Sequence, residues 1–482
     1  MMGRAGRPQY DEFGVAVLMT THQDKSKYEA VFEKGEILES TLHHNIEFYL
    51  GAEICMGEIA SKTAAMTWMK SSFLYQRLLK NPTHYKILAP GTVDPEDFEN
   101  ELSRYLDLKI DELLRYGVIK VDEYGSISPT GKAMGRFYLK LSTISMITNL
   151  KEAPNQRYIL QQLSKAAEFS DHRLLQGEKG VLNLVNQNSE LKYTVGESDL
   201  STVGGGGTGA VREISDKVFL LIQCYLLGIV IRDAAEAASL NREMAKIIIT
   251  SKRVIKAFVE HYVVKRDCIG IKACLDINRY LNSGCFDARN TSGSPKILAQ
   301  IPNLGTKYSQ ILFDSGIRSI AALKQTPPST IENLLKRNPP FGFHVIDSVN
   351  SFPVPSIAIS KSKTNRNELD LFVGVANYEK VAQSKKSLLL SWISVLVYSN
   401  TNTLLIYCRA PVSKLRHPQK LTIDLSIPSH QFQSIQIFSS SDNHDQSYGY
   451  TPSQSASPDT HRKLLTLQHY FKKVFISPHI QL

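Results

Sequence analysis

The chain carries 482 residues, 42% of them hydrophobic, with 56 Lys and Arg against 46 Asp and Glu for a formal charge of +10. That length allows three or four domains with a core in each, and the composition is that of a soluble globular protein. The positive excess favours an anionic partner such as nucleic acid without requiring one. Six cysteines (Cys55, Cys224, Cys268, Cys274, Cys285 and Cys408) are scattered, with no C-x-x-C pair and no His at ligand spacing. They read as buried thiols of a reducing compartment rather than zinc ligands or disulfides. The longest apolar runs, Val218 to Ile231 and Ser387 to Val397, are too short or too interrupted to span a bilayer, and no signal peptide is visible. An intracellular protein with no membrane contact is expected.

Residues 1–26 open with Gly3-Arg4-Ala5-Gly6-Arg7-Pro8 and continue into the apolar run Val15 to Met19, read as a loop and one buried strand. A single strand cannot be a domain, so the expectation is a remnant of a domain whose body lies upstream. Residues 27–151 turn helical over Tyr28 to Lys34, Leu42 to Tyr49, Ala64 to Lys80 and Pro95 to Tyr116, the last ending at Gly117. Val118 to Val121 and Gly125 to Ser128 flank Asp122-Glu123-Tyr124-Gly125, a hairpin signal, and a helix is expected from Thr130, an N-cap residue, to Tyr138. Helix, helix, hairpin is the order of a winged helix.

Residues 152–296 are again helical and are interrupted at 189–209, where GESDLSTVGGGGTGA marks a flexible surface loop. No Lys-Ser/Thr follows Gly204 to Gly207 and no strand feeds them, so a linker is expected there rather than a phosphate loop. Residues 297–345 form a compact helical unit around IPNLGTKYSQILFDSGI. Residues 346–482 change to period two, with strands over Ser356 to Ile359, Leu369 to Val375, Leu388 to Val397, Thr403 to Tyr407, Leu421 to Leu425 and Ile435 to Phe438. That pattern predicts a β-sandwich, and the Ser-rich stretch 439–458 reads as a disordered insertion or the ragged end of its sheet. The fold class expected is therefore multidomain and mostly α, with an all-β domain at the carboxyl end.

Three stretches carry chemistry. Arg4 and Arg7, spaced by Gly3 and Gly6, suit a phosphoryl-transfer site, where a planar guanidinium meets the charge developing on a γ-phosphate; a Gly-Arg turn binding any phosphate fits the same residues. In Asn241 to Val264, Lys246, Arg253, Lys256 and Glu260 fall at i, i+7, i+10 and i+14 on one stripe of a helix, opposite Ile248, Ile255, Phe258, Val259 and Tyr262. Such a stripe tracks a phosphate backbone, although a solvated charged face has the same pattern. Residues 299–317 fit a helix-hairpin-helix, in which Gly305 permits a sharp reversal and the amides of Gly305, Thr306 and Lys307 face a phosphate at a helix N-terminus; a plain helical hairpin is the alternative. Lys336 and Arg337 in LLKRNPPFG are weaker candidates for phosphate contacts. His43 and His44 have no partner ligand in sequence and read as helix surface and cap. His444, His461, His469 and His479 are too dispersed for a site.

MMGRAGRPQYDEFGVAV resembles the sixth motif of superfamily-two helicases, Q-x-x-G-R-x-G-R, whose Gln would fall just before Met1, and the Pro-Gln-Tyr-Asp continuation is similar to the Ski-like group. Glu39 to Ile54, Trp68 to Tyr85 and Ser128 to Thr143 are similar to the winged-helix region of those enzymes, with Asn-Pro-x-x-Tyr and Thr-Gly-x-x-x-Gly-x-x-Tyr at their cores. Leu334 to Gly342 most resembles the meiotic crossover helicases of the MER/HFM type. The resemblance implies that Arg4 and Arg7 are arginine fingers of a second RecA-like lobe, with Gly3 and Gly6 beside the nucleotide, and that ATP and Mg2+ serve the intact enzyme. It also implies a ratchet helix in 152–296 that threads single-stranded DNA, and an immunoglobulin-like β-sandwich that docks a protein partner.

Neither G-x-x-x-x-G-K-[ST] nor D-E-x-H occurs in the chain. As given, it is expected to be the truncated carboxyl-terminal part of a 3′-to-5′ DNA helicase of meiotic recombination, nuclear, binding single-stranded or branched DNA, and inactive alone as an ATPase. Two alternatives stand beside that reading: a fragment of a Ski-like RNA helicase of the spliceosomal type, or a non-catalytic nucleic-acid-binding or scaffold protein.

Overall fold

A computed structural model describes residue 6 and residues 9–34, 38–87, 95–129, 137–196, 209–232, 236–286, 294–361, 368–384, 391–399, 402, 404–424 and 435–441. The expected strand at Val15 to Met19 is not formed. Residues 13–20 are irregular and exposed, with Val15 at 76% and Met19 at 92% exposure; an apolar run becomes a strand only when a neighbour takes its amides and carbonyls, and none of the described residues does so here. Arg4, Arg7 and Gly3 lie outside the described residues. Gly6 is described in a left-handed conformation (φ +85°) against the backbone of Gly14.

The first helical region comprises α1 (Lys25–Lys34), α2 (Ile46–Met56), α3 (Lys62–Ser71), α4 (Phe73–Lys80), α5 (Pro82–Tyr85) and α6 (Pro95–Arg115), then β1 (Ile119–Val121) paired antiparallel with β2 (Ile127–Pro129). The single helix expected over Ala64 to Lys80 is two helices. Ser72 sits extended at the joint, its hydroxyl donating to the Met69 carbonyl (2.7 Å) and accepting from Tyr75 N (3.2 Å), so one side chain ends α3 and starts α4. Gly117 (φ +67°) ends α6 and Gly125 (φ +75°) makes the hairpin turn, both positions where a side chain would be strained. Ile46, Met69, Leu74, Leu78, Leu102 and Leu106 form the core of this winged helix. Across its entrance, Glu39 binds Arg77 in a fork (3.0 and 2.7 Å), Asn81 (3.0 Å) and the Tyr85 hydroxyl. These donors, Arg77 first, hold the Glu39 carboxyl far below the ordinary range. The helix expected from Thr130 falls mainly on residues outside the described set.

The second helical region follows as α7 (Leu141–Thr148), α8 (Gln156–Ser164), α9 (Gln176–Asn186), α10 (Ile214–Leu227), α11 (Ala237–Lys265) and α12 (Cys268–Ser283). Its core is continuous with the β1–β2 hairpin through Ile119, Ile127 and Leu139. Of the loop expected at 189–209, residues 197–208 are not described. Cys224, Cys268, Cys274 and Cys285 are buried, whereas Cys55 and Cys408 are partly exposed. Burial pushes the Cys224 thiol up to about 12 and that of Cys268 to about 11.

Four short helices, α13 (Thr306–Asp314), α14 (Ile320–Gln325), α15 (Pro328–Leu335) and α16 (Phe341–Asn350), pack around Leu298, Leu312, Leu323, Ile331 and Val345, a core of their own. The remaining elements are β3 (Pro355–Lys361), β4 (Glu368–Val375), the helix α17 (Tyr378–Gln383), β5 (Trp392–Ser399), β6 (Leu404–Pro411), β7 (Gln419–Asp424) and β8 (Ile435–Ser441). They make two antiparallel sheets, ordered β3-β4-β7 and β6-β5-β8. Alternate residues of β4 (Leu369, Leu371, Val373) and β5 (Ile393, Val395, Val397) share one core. Leu396, on the opposite face of β5, belongs with Leu404 to the large helical core. Burial on both faces explains why β5 reads as a nearly unbroken apolar run.

Candidate nucleic-acid interface

Helix α11 has 29 residues without Gly or Pro, about 43 Å at 1.5 Å per residue. Its buried stripe is Leu240, Met244, Ile247, Ile248, Ser251, Val254, Ile255, Ala257, Phe258, Val259 and Tyr262. Burying each large apolar side chain contributes roughly 1.5–3 kcal/mol, which outweighs the ~0.5 kcal/mol that a β-branched residue costs in a helix. The helix stops at Arg266 (φ +58°), where Asp267 accepts from Gly270 N (2.9 Å) to cap α12. Arg266 reaches on to the Leu404 carbonyl of β6 (3.1 Å), joining the end of α11 to the sheet.

The stripe read from sequence divides in two. Lys246 and Arg253 stand in solvent, with Ile249 between them 72% exposed. Lys256 and Glu260 are half-buried and line a cavity of about 130 Å³ with Trp392, Tyr407 and Arg409 of the β region. Lys252, off that stripe, is also half-buried, and burial together with Lys256 lowers its pKa.

Gly305, Thr306 and Lys307 are exposed at the start of α13, whose first-turn amides have no intrahelical acceptor. The reversal is not made by Gly305, which has an ordinary φ of −69°. It is made by Asn303 (φ +69°), a residue whose short polar side chain tolerates the left-handed region. A Cβ on Gly305 would meet nothing within 4 Å, so the glycine leaves an open approach rather than a strained turn. The two groups rest on separate cores, α11 on the large helical one and α13 on the small one. Arg337 lies over the rings of Phe341 (5.1 Å) and Tyr308 (5.8 Å), a packing role, and Lys336 ends α15 with φ +52°. His43 and His44 lie in a short helical turn, with the His43 ring edge-on to Tyr85 (5.0 Å), and among the described residues no group of His, Cys, Asp or Glu is arranged to hold a metal.

Residues 127–448 match the Sec63 Brl domain, and residues 39–123 match a winged helix-turn-helix domain. The first of these takes in about two thirds of the chain. The chain belongs to the Sec63 Brl domain family. The Brl region so defined runs from β2 through β8 and therefore contains α11, α13 and both sheets.

Among proteins similar to this Brl chain, a probable ATP-dependent DNA helicase HFM1 of Xenopus tropicalis is 27% identical over 390 residues, 80% of this chain and 28% of its own length. The ATP-dependent DNA helicase MER3 of Saccharomyces cerevisiae is 26% identical over 442 residues, 89% of this chain and 36% of its own. A DExH-box ATP-dependent RNA helicase DExH14 of Arabidopsis thaliana is 25% identical over 342 residues, 70% of this chain and 15% of its own. The chain thus spans about a third of the length of the DNA helicases it matches. No described helix is long and apolar enough to cross a membrane.

The Brl region also holds charge that spacing does not reveal. Lys165, Arg173, Lys179 and Arg212 line a groove of about 680 Å³ at the start of α10. Lys179 is on α9, while Lys165 follows the end of α8 and Arg173 and Arg212 lie in the segments before α9 and α10, so no periodicity unites them in sequence. Beneath the groove, Lys217 is fully buried between Glu178 (2.8 Å) and Glu243 (2.8 Å), which ties α9, α10 and α11 together. The only cue in sequence is a lysine inside an apolar helix. Such a residue is almost never fully buried unless paired.

Proposed function

We propose that the chain is the carboxyl-terminal part of an ATP-dependent DNA helicase of meiotic recombination, working in the nucleus, and that this part grips the strand on which the enzyme moves. The likeness to helicases named MER3 and HFM1 supports the substrate class. The observation that carries the reading is the exposed pair Lys246 and Arg253 on α11, which at 29 residues is the longest of the described helices. Cations on a rigid rod hold a phosphate backbone without reading sequence. In this reading Gly305, Thr306 and Lys307 are a second backbone clamp of helix-hairpin-helix kind. Arg4 and Arg7 sense the γ-phosphate of ATP and Mg2+ held by another part of the enzyme, and the paired sheets form an immunoglobulin-like sandwich that docks a protein partner.

The test is binding of the chain to single-stranded DNA, followed by anisotropy across a salt series. Changing Lys246 and Arg253 together to Glu should weaken binding at least tenfold and flatten the log–log salt slope by about 1.4, since each lost single-strand phosphate contact removes about 0.7. Lys307→Glu should lower the slope by about half as much. Unchanged affinity and slope in the helix double variant would remove α11 from the DNA path. RNA recognition, the reading favoured by the likeness to DExH14, would show instead as tighter binding to RNA than to DNA of the same sequence.

A further inference from the structure

Four cations surround the groove of about 680 Å³ at the start of α10, and the fold fixes their backbones without neutralising their charge. Among the described residues, no acceptor takes the side chain of Lys165, Arg173, Lys179 or Arg212. Lys165 N donates to the Gln162 carbonyl at the end of α8 (3.1 Å), and the Arg173 carbonyl accepts from buried Lys217 (2.7 Å). Asn183, one turn after Lys179 on α9, accepts from Val211 N (2.8 Å) and so holds the segment carrying Arg212 against that helix. Arg212 N and Glu213 N both donate to Asp216 (2.9 and 3.0 Å), so these two amides are in use and the charge open to a ligand is carried by the side chains. Glu213 is the single carboxylate of the lining, and it accepts from the Ser215 hydroxyl (3.1 Å). Like charges gathered around one recess repel one another, and an anion entering it relieves that repulsion.

We propose that this groove holds the phosphate backbone of duplex DNA while α11 holds the single strand. The proposal rests on the strand-gripping reading above and extends it to a branched substrate. A single strand can follow cations set in a line, as on α11. Cations gathered around one recess suit a denser array of phosphates, and a duplex carries one charge per about 1.7 Å of its axis, twice that of either strand. Single-strand sites also supply aromatic rings on which bases stack, and no aromatic side chain among the described residues lines this groove. A duplex needs none, because its bases already stack on one another. An acidic polypeptide would gain the same charge pairs, but protein interfaces are carried by aromatic anchors, and the groove has no ring for one to pack on. The two sites adjoin. Lys217 Nζ binds both the Arg173 carbonyl and Glu243 of α11 (2.8 Å), and His172 lies 3.4 Å from Glu243, one turn before Lys246. A strand leaving a duplex in the groove therefore reaches Lys246 first.

Anisotropy across a salt series tests this with three labelled probes: a blunt duplex of about twenty base pairs, an oligothymidylate of about twenty nucleotides, and polyglutamate of charge similar to the duplex. Lys179→Glu together with Arg212→Glu should weaken duplex binding at least tenfold and flatten its log–log salt slope by about 1.8, since each lost duplex contact removes about 0.9. Oligothymidylate binding should stay within about threefold, because its contacts lie on α11. Changing Lys246 and Arg253 to Glu should reverse the pattern, weakening oligothymidylate and sparing the duplex. Lys165→Glu, at an exposed side chain without a partner, should lower the duplex slope by about 0.9 with no contact of the fold removed. Unchanged duplex affinity and slope in the groove variants would overturn the proposal and leave the α11 reading standing, as would equal loss of duplex and oligothymidylate. Polyglutamate that binds more tightly than the duplex and is lost in the same variants would overturn it in favour of an acidic polypeptide. Failure of the native chain to bind either DNA would overturn both readings.

Discussion

Replacing Lys217 with Met tests whether the buried ion network fixes the amino-terminal half of α11. Lys217 is wholly enclosed on α10, its Nζ 2.8 Å from Glu178 Oε2, 2.8 Å from Glu243 Oε2 and 2.7 Å from the Arg173 carbonyl. Glu178 is just as enclosed, and its carboxylate also accepts from the Leu175 amide at 3.0 Å. Methionine fills a similar volume, so the substitution opens little cavity and acts chiefly on charge. Removing one member of a buried pair leaves the other uncompensated and costs about 3–5 kcal/mol, and the orphaned Arg173 carbonyl adds about 1 kcal/mol. Glu243, a quarter exposed, can be rehydrated and contributes less. Equilibrium urea unfolding followed by far-ultraviolet circular dichroism measures the loss. Adding Glu178→Gln to the Lys217→Met protein should restore part of it, because the charge left behind is then neutral; the two substitutions should be non-additive by about 1–3 kcal/mol. A Lys217→Met protein within about 1 kcal/mol of the native one, or strict additivity in the double variant, would refute the argument that the network is a mutually dependent unit. The assignment matters for the strand path because Glu243 lies one turn before Lys246.

Gly270→Ala should destabilise the chain by about 1–3 kcal/mol, the usual cost of overpacking: a Cβ there would lie 2.2 Å from the Tyr262 ring, and Tyr262 is held by its own bond to the Lys151 carbonyl (2.9 Å). Since Gly→Ala ordinarily strengthens a helix by up to about 1 kcal/mol, an unchanged or raised urea midpoint would show that α11 and α12 are not in the close contact described. His261 on α11 is held neutral, its pKa lowered from 6.5 to about 4 by burial first and by Lys265 second, against an opposing pull from Asp267. The unfolded chain then binds the proton more readily, so stability should fall as the pH drops from about 6.5 towards 4. The urea midpoint of His261→Gln should depend less on pH in that window than that of the native chain, and parallel pH profiles would contradict the assignment.

Periodicity located most of the secondary structure because burial enforces it locally. The apolar repeat from Leu240 to Tyr262 is a stripe on any helix of that length, and the alternation in Leu369 to Val373 and Ile393 to Val397 is a face on any strand. Where the sequence misled, a partner was needed to decide. Val15 to Met19 has strand composition but nothing among the described residues to pair with. Ala64 to Lys80 looks like one helix until the Ser72 hydroxyl is seen bonding both ways. The tight turn before α13 belongs to Asn303 although the eye goes to Gly305, because φ is settled by the closing geometry rather than by the most permissive residue.

The sequence by itself determined which residues could be cations on a helix surface and which must be buried; a 3.6-residue or 2-residue repeat carries that information within one element. Only the tertiary structure decided that Lys246 and Arg253 meet solvent while Lys256 and Glu260 turn into a cavity with Trp392 and Arg409, and that Lys165, Arg173, Lys179 and Arg212 share one groove. Contacts between elements far apart in the chain depend on how helices and sheets dock. Docking is fixed by shape and burial summed over the whole core, which no local pattern records.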